Sequence, residues 1–361
     1  MDIPNKGTNL KVFRWSDKGR ESALKIAAQD YVLHGNIGHS YRFIKRKLLK
    51  GIYPKYKDIH YSIIPPKESY NYWDNRLIVR MLGFSDHYNT SVFGRNFRRD
   101  FRSLKDSITK NTFILEIGDI NLIAGSFYSN TNNFSDYEQQ IGELIKRVTQ
   151  KYNIPKSKVV MYGTSRGATG ALLNGANNNY KIVVADPVID DTAWLNMNDS
   201  HFVNGVRKVD LTEQVSEAIE GYKLSSNEAY ILGTSNVGVT FAAHLRLPLN
   251  KITLLDMRMK IYEHAVINSK SVPIQLAVIN YLLAKEDVIR VNSYEELDNG
   301  VVFEVKDLMS NSIPLDNIDK FRIRVDDIFL NKDKFSRQYI EKFGFTLQDK
   351  NETFEYWYRI S

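Results

Sequence analysis

A serine between two glycines is the feature of this sequence whose chemistry is easiest to specify. Residues 163–167 read Gly-Thr-Ser-Arg-Gly, a G-x-S-x-G pattern, with an apolar β-prone run before it and a helix-forming run after it. Such a serine lies on a sharp strand-to-helix turn, where glycines avoid the clashes that Cβ atoms would cause. The adjacent helix N-terminus favours negative charge. We therefore predict that Ser165 is the nucleophile of an acyl-transfer site; a helix cap is its alternative role.

A nucleophilic serine needs a base, and seven histidines are present. In folds built around this turn, the histidine follows the last strand of the sheet. The last predicted parallel strand is 252–255, so His264 is the leading candidate, followed by His244 and then His201. The remaining histidines, which precede the serine, are His34, His39, His60 and His87.

The carboxylate that would orient the histidine is not where it is most often found. The turn at 233–238, which follows the second-last predicted strand, contains no Asp or Glu. Some members of this fold place the acid one strand earlier, which favours Asp186. A dyad in which Asn236 or a backbone carbonyl orients His264 is also open. The competing carboxylates are Asp190, Asp191 and Asp256.

An acyl-transfer site also needs donors for the developing oxyanion. The backbone N–H of Arg166, directly after the nucleophile, is one predicted donor. We expect the second in the loop after strand 113–117, at Ser126 or Phe127. In the same loop, Tyr128, Asn130 and Thr131 are predicted to contact a hydroxylated substrate. A polar surface loop is the alternative interpretation.

The elements that must position these residues follow from hydrophobic patterning. Apolar runs predict strands at 77–82, 113–117, 159–162, 182–185, 229–232 and 252–255. Amphipathic runs predict helices at 136–152, 169–175, 212–219 and 273–284. Alternating strands and helices indicate an α/β fold, with a mostly parallel sheet and helices on both faces. Its ligand site would lie at the carboxyl ends of the strands.

The sequence predicts smaller segments on both sides of this α/β domain at 71–285. Residues 1–70 are predicted to form a separate helical lead-in, with a helix at 21–33, and prolines at 54, 65 and 66 indicate a linker. Residues 286–361 are predicted to form a small α+β extension. Its predicted strands are 301–305, 321–325 and 354–358, with a helix at 334–343.

Composition limits the chemistry and the partners. The 361 residues include no cysteine, which excludes disulfides, thiolate catalysis and cysteine-ligated zinc. No His/Asp/Glu cluster has metal-ligand spacing. The N-terminus lacks a signal-peptide pattern and no apolar run is long enough to span a membrane, so a cytoplasmic location is expected. The net charge of +7 includes basic segments at 44–50 and 95–102, without a nucleic-acid motif, so no nucleic-acid partner is expected.

These motifs resemble the XcbB/CpsF family of capsular polysaccharide biosynthesis proteins, which is similar in turn to the acetyltransferase-like component of the accessory secretion system. The segments that carry the resemblance are 117–119, 125–134, 162–172 and 186–187, within residues 70 to 285. The resemblance implies an α/β-hydrolase fold, with Ser165 as nucleophile and His264 as base. The chain departs from the family pattern at 234–236, where the acid is expected.

The resemblance implies serine-dependent acyl chemistry on a surface or capsular polysaccharide, as an O-acetyltransferase or an esterase. It predicts a glycan substrate and a peripheral association with membrane-bound capsule machinery. No cofactor is expected, and acetyl-CoA is one candidate acyl donor. The competing hypothesis is a catalytically degenerate protein with a structural role in capsule assembly, because the usual acid is missing. A nucleic-acid role is a distant third.

Overall fold

An eight-stranded sheet forms the centre of the computed structural model of this chain. Its strands are β4 (Lys55–Tyr56), β5 (Ile59–Ile64), β6 (Arg76–Met81), β7 (Thr112–Ile117), β8 (Val159–Thr164), β9 (Lys181–Ala185), β10 (Ala229–Gly233) and β11 (Thr253–Asp256). The structure describes residues 9–10, 17–37, 40–70, 73–84, 91–99, 101–197, 201–287, 300–309, 318–333 and 335–360.

The strand order is β11-β10-β9-β8-β6-β7-β5-β4. The six strands β6 to β11 are parallel to one another. Strand β5 pairs antiparallel with β7, and β4 pairs antiparallel with β5. Buried Val, Ile and Leu side chains fill the parallel strands on both faces, as expected where helices cover both sides. All six predicted strands are present, each within one or two residues of its predicted bounds.

Helices cover both faces of the sheet. They are α2 (Val92–Asn96), α3 (Tyr137–Lys151), α4 (Arg166–Asn178), α5 (Thr192–Asn196), α6 (Thr212–Glu220), α7 (Gly238–His244) and α8 (His264–Ala284), with short 3₁₀ turns at Arg46–Leu48, Leu104–Asp106, Lys156–Lys158, Ser226–Glu228 and Lys285–Asp287. Helices α3, α4 and α6 share one core with the sheet, and α8 packs on the opposite face. This is the α/β-hydrolase fold. Among the described residues, no helix is long and apolar enough to cross a membrane.

The N-terminal residues form a second layer, not a separate helical lead-in. Strand β1 (Asn9–Leu10), helix α1 (Asp17–Ala27), β2 (Tyr31–Ile37) and β3 (Ser40–Lys45) precede the large sheet, and the small sheet has the order β1-β3-β2. The predicted helix at 21–33 is wrong after residue 27, because Tyr31, Val32 and Leu33 are buried as a strand. Residues 55–64 join the main sheet, where the prolines predicted a linker.

The chain divides into two compact units, residues 1–286 and 287–361. The second contains β12 (Val301–Phe303), α9 (Val305–Met309), β13 (Lys320–Arg324), α10 (Val325–Leu330), α11 (Arg337–Glu341), β14 (Phe345–Lys350) and β15 (Phe354–Arg359). Its sheet has the order β12-β13-β15-β14 around a core that includes Phe321 and Trp357. The predicted strands are present; β14 was not predicted, and the helix is shorter than expected.

Candidate active site

Ser165 lies on a strained turn between β8 and α4. Its backbone has φ 54° and ψ −121°, a conformation that a non-glycine residue seldom adopts. A Cβ at Gly163 would lie 2.2 Å from the carbonyl oxygen of Gly167, and one at Gly167 would lie 2.1 Å from that of Met81. Both glycines are therefore required by close backbone packing, which holds Ser165 above the carboxyl end of β8.

The structure brings Ser165, His264 and Asp186 together although 99 residues separate the first pair. Ser165 Oγ lies 2.8 Å from His264 Nε2, and His264 Nδ1 lies 2.5 Å from Asp186 Oδ2. An ionised carboxylate only accepts hydrogen bonds, so Nδ1 carries a proton and, in the neutral ring, Nε2 is free to accept one from the serine hydroxyl. This is the relative arrangement that nucleophilic serine catalysis requires.

Asp186 is held from several sides. It follows β9 with φ 49°, its side chain is nearly inaccessible, and its backbone N–H donates to the Leu232 carbonyl at 2.9 Å. The Thr240 hydroxyl donates to Asp186 Oδ1 at 2.8 Å, leaving Oδ2 for the imidazole. Asp186 is therefore fixed by a backbone hydrogen bond to β10 and a side-chain hydrogen bond from α7.

His244, the second-choice base, lies beneath the acid instead of beside the nucleophile. Its Nε2 is 2.9 Å from the Pro187 carbonyl oxygen and 3.9 Å from Asp186 Oδ1. Burial lowers the pKa of His244, with the nearby Asp186 carboxylate opposing that shift. A buried neutral histidine in this position supports the loop that carries Asp186 and has no contact with the serine hydroxyl among the described residues.

The other candidate orienting groups have different partners. Asp256 accepts hydrogen bonds from the backbone and hydroxyl of Ser235, and Asp190 pairs with Arg246 at 2.7 Å. The Asn236 amide donates to the Met259 carbonyl at 3.1 Å. Of the groups considered from the sequence, Asp186 is the one that meets the imidazole of His264.

Arg166 contributes its side chain to the architecture of the site. The guanidinium is buried and donates to the carbonyl oxygens of Ala124 and Gly83, at 2.5 and 2.8 Å, and to Asn96 Oδ1 at 3.1 Å. It thus ties the loop after β7 and the loop after β6 to the start of α4. The sequence suggested a role only for its backbone N–H, which stands at the first position of α4.

Two loops, one after β6 and one after β7, could supply the second backbone N–H to the oxyanion. The strand that adjoins β8 is β6, so its following loop, from Leu82 to Gly83, passes directly beside the serine turn. In the loop after β7, the Ser126 hydroxyl is buried and donates to the Ser129 carbonyl at 3.0 Å. Phe127 is buried with a positive φ of 59°. Both loops offer backbone N–H groups, whereas the sequence-based prediction included only the loop after β7.

Tyr128 does not line a substrate site, contrary to the sequence-based expectation. Its side chain is fully buried, and the hydroxyl lies 2.9 and 2.8 Å from the carbonyl oxygens of Leu82 and Ile117. Burial also raises the pKa of this phenol well above its usual value. The tyrosine was misassigned because a loop residue of polar type was assumed to be exposed, whereas it bridges the ends of β6 and β7.

Asn130 and Thr131 lie in a cleft whose lining includes none of the three residues of the Ser165–His264–Asp186 arrangement. The cleft has a volume of about 720 Å³ and is also lined by Arg207 and Lys208. The Asn130 side chain accepts from the Glu138 backbone N–H at 3.0 Å, and the Thr131 hydroxyl donates to Asn133 at 2.9 Å. Both residues therefore shape the loop and the start of α3.

A second aspartate–histidine pair lies next to the first and was not recognised from the sequence. His201 Nδ1 is 2.5 Å from Asp191 Oδ1, and the buried Arg207 guanidinium donates to Asp191 Oδ2. The Trp194 ring stacks on His201 with centroids 5.2 Å apart and meets His264 edge-on at 5.7 Å. Asp191 lies four residues after the 186–187 segment, and the sequence signals for the pair were the candidacy of Asp191 as acid and that of His201 as third-choice base.

The N-terminal layer supports the loops around the site. One hydrophobic cluster combines Tyr31, Leu33 and Phe43 with residues of the loop after β7, and it includes Phe202 and Val206 beside the second pair. The Leu33 backbone N–H also donates to the Leu122 carbonyl at 3.2 Å. The N-terminal segment, which the sequence predicted to be separate, therefore packs against the loops that surround the site.

Several cations of the basic segments 44–50 and 95–102 pair with other groups of the protein. The Arg46 side chain, only 9% exposed, pairs with Asp30 and Asp58, and Arg95 is buried against the Leu33 carbonyl. Arg99 pairs with the buried Glu116 at 2.8 Å. His39 and His87 lie outside the described residues. Within the part of the chain that the structure describes, no group of three His, Cys, Asp or Glu side chains is arranged to hold a metal ion.

Comparisons with known proteins give one partial sequence match. No family model matches the chain. Over 81 residues it is 36% identical to accessory Sec system protein Asp2 of Staphylococcus aureus (strain NCTC 8325 / PS 47), a match that covers 22% of this chain and only 15% of Asp2.

Solved structures resemble the fold at low sequence identity. The glycosylation-associated protein (Gap123) complex of Streptococcus agalactiae matches with a TM-score of 0.43 at 20% identity, over 59% of this chain and 43% of that one. The capsule O-acetyltransferase of Neisseria meningitidis serogroup A matches with a TM-score of 0.44 at 14% identity, over 62% of this chain and 92% of that one.

Proposed function

We propose that this protein catalyses acyl transfer through a covalent Ser165 intermediate, with His264 as base and Asp186 as the orienting acid. The observation that carries the proposal is the continuous hydrogen-bonded series from Ser165 Oγ to His264 Nε2 (2.8 Å) and from His264 Nδ1 to Asp186 Oδ2 (2.5 Å). A serine hydroxyl is a weak nucleophile unless a positioned base removes its proton during attack. The strained turn at Ser165 supports the same role.

The chemistry divides into two half-reactions. In the first, Ser165 Oγ attacks the acyl carbonyl while His264 takes the hydroxyl proton and passes it to the leaving group. In the second, water or an acceptor hydroxyl attacks the acyl-serine, and His264 returns the acceptor's proton to Ser165 Oγ. The backbone N–H of Arg166 and one from an adjoining loop stabilise the oxyanion. Asp186 keeps the imidazole in the required tautomer and stabilises its charged form.

The finer proposal is that the enzyme acts on a surface or capsular polysaccharide. As an O-acetyltransferase it would use a polysaccharide hydroxyl as the acyl acceptor, and as an esterase it would take the acyl group from the polysaccharide and pass it to water. The resemblance of the motifs around Ser165 to XcbB/CpsF-type capsule proteins supports this choice. The alternative of a degenerate scaffold rested on the missing acid at 233–238. The contact between Asp186 and His264 removes that reason, so we favour the enzyme.

A fluorophosphonate probe, which reacts with activated serines, tests the proposal. We expect stoichiometric labelling of the wild type, no labelling of Ser165→Ala, and wild-type labelling of Ser269→Ala, which removes an exposed hydroxyl from α8. Peptide mapping should place the label on Ser165. A folded wild-type protein that stays unlabelled, while a known serine esterase labels fully, would contradict the proposal.

A further inference from the structure

The pair formed by Asp191 and His201 leaves one imidazole nitrogen available beside the proposed site. His201 Nδ1 donates to Asp191 Oδ1 at 2.5 Å, because the carboxylate only accepts. In the neutral ring, Nε2 is then a hydrogen-bond acceptor. No hydrogen bond to Nε2 is found within the described part of the chain, and the side chain is 16% exposed.

The charge of Asp191 is already compensated by a neighbouring cation. Asp191 is almost completely buried, and its second oxygen is already paired with the equally buried Arg207 guanidinium. One buried anion and one buried cation compensate each other, so a second cation at His201 would have no opposite charge of its own. The imidazole is consequently suited to accept a hydrogen bond from an O–H group.

Trp194 links His201 to the base of the proposed reaction. The half-buried Trp194 ring contacts both His201 and His264, with centroids 5.2 and 5.7 Å away. His201 also contacts Phe127, in the loop after β7, with the two rings steeply inclined and their centroids 5.2 Å apart. His201 is thus linked through one aromatic ring to the base of the proposed reaction and contacts a loop tied to Arg166, and the mechanism gives it no role.

We propose that His201 binds the acyl acceptor: its Nε2 accepts a hydrogen bond from one hydroxyl of a polyol while a neighbouring hydroxyl attacks the acyl group on Ser165. This rests on the proposed acyl-enzyme mechanism. In the step concerned, a bond forms between the acceptor oxygen and the acyl carbon, and the bond from that carbon to Ser165 Oγ breaks. The acceptor's proton passes to His264 Nε2 and then to Ser165 Oγ. The hydroxyl bound to His201 keeps its proton.

Acceptor partitioning measures this role directly. The wild type is acylated with p-nitrophenyl acetate in the presence of glycerol or, separately, 1-propanol, which has the same carbon chain and a single hydroxyl. Release of p-nitrophenol reports acylation, and the ratio of acetyl ester to free acetate reports capture by the acceptor. We expect the wild type to prefer glycerol, because only glycerol offers a second hydroxyl to His201.

Two variants distinguish the role of His201 Nδ1, which donates to Asp191, from that of Nε2, which is proposed to bind the acceptor. In His201→Asn the amide replaces the Nδ1–H donor to Asp191 but nothing reaches the Nε2 position, and in His201→Gln the amide extends to that position. We expect His201→Asn to lower the ester-to-acetate ratio with glycerol about fivefold, the worth of one neutral hydrogen bond, and to leave 1-propanol unchanged. His201→Gln should retain part of the glycerol preference. A merely structural role would alter acylation and both acceptors together.

The outcomes distinguish the two levels of the proposal. If the wild type forms no acyl-Ser165, the proposed function fails and the acceptor subsite fails with it. If acyl-Ser165 forms but glycerol shows no advantage over 1-propanol, or His201→Asn partitions like the wild type, the subsite alone is overturned. If His201→Asn does not fold, His201→Phe serves instead, with fluorophosphonate labelling of Ser165 as the check of fold and the same expected loss.

Discussion

The two neighbouring aspartate–histidine pairs have the same inner contact and different charge environments. In each, a histidine Nδ1 lies 2.5 Å from a buried carboxylate oxygen. The second oxygen of Asp186 accepts from the neutral Thr240 hydroxyl, whereas that of Asp191 accepts from the Arg207 guanidinium. Nε2 of His264 contacts the Ser165 hydroxyl, whereas Nε2 of His201 makes no hydrogen bond within the described part of the chain.

This difference decides what each histidine is suited to do. A base in acyl transfer must carry a positive charge at the transition state, and an uncompensated carboxylate beside it stabilises that charge. Asp186 is free to supply that stabilisation. Asp191 is already neutralised by Arg207, so His201 is better suited to neutral hydrogen bonding. We therefore propose that the same residue pair serves proton transfer in one place and binding in the other.

Removing the charge from each aspartate is the strongest test of this comparison. We expect Asp186→Asn to slow acylation by p-nitrophenyl acetate about 10³- to 10⁴-fold, because the amide no longer holds the tautomer or stabilises the imidazolium. Asp191→Asn should slow it less than about threefold. Stopped-flow release of p-nitrophenol measures both, with thermal unfolding as the check of fold. Equal losses in the two variants would mean that both pairs transfer protons.

Removing Arg207 tests whether it is the cation that neutralises Asp191. Arg207→Gln should lower the free energy of unfolding by about 3 kcal/mol at pH 7.5, because a buried carboxylate loses its partner. Arg246→Gln, which breaks a surface pair with Asp190, should cost less than about 1 kcal/mol. Urea unfolding at pH 7.5 measures both variants; equal costs for the two would refute the assignment.

His60 provides a reference histidine that has no carboxylate bonded to its ring. Its nitrogens make no well-formed hydrogen bond among the described residues, and burial, with a smaller contribution from Lys55, lowers its pKa to about 4; the Tyr53 backbone opposes this only in part. Because the neutral form is favoured in the folded state, His60 does not reduce the free energy of unfolding above the usual histidine pKa of about 6.5. As the pH falls towards 4, the unfolded chain takes up a proton at this residue before the folded protein does, and the free energy of unfolding declines. The loss is on the order of 3 kcal/mol.

Urea unfolding between pH 7 and pH 4.5 checks the contribution of His60. We expect His60→Leu to show a clearly smaller decrease in stability over this range than the wild type. His34→Leu, at an exposed position, is the matched control and should keep most of the wild-type decrease. A His60→Leu profile parallel to the wild type would rule out His60 as the source.

The smallest predicted effect concerns the neutral donor to Asp186. Thr240→Val removes the hydroxyl that donates to Oδ1 at 2.8 Å, so the carboxylate is less firmly oriented. We expect acylation to slow about tenfold with the fold intact. Thr112→Val removes a buried hydroxyl at the other end of the sheet and should leave the rate unchanged. An unaltered rate in Thr240→Val would show that the backbone alone positions Asp186.

The sequence predicted the local elements well and the exposure of loop residues poorly. The six main strands and the serine turn follow from apolar runs and glycine placement, which depend on nearby residues. Position along the chain also favoured Asp186 over Asp256 and Asp190. Tyr128 was misplaced, and strand Ile59–Ile64 was overlooked between prolines, because burial depends on partners that lie far away in the sequence.

The sequence by itself determined an α/β chain with a strained serine turn and a histidine placed after the last parallel strand. Only the tertiary structure decided which carboxylate meets His264, which loops adjoin Ser165, and that a second pair lies beside the first. The physical reason is the order of strands in the sheet. That order brings the ends of β6, β8, β9 and β11 to one edge, and the pairing of distant strands leaves no signal in the local residue pattern.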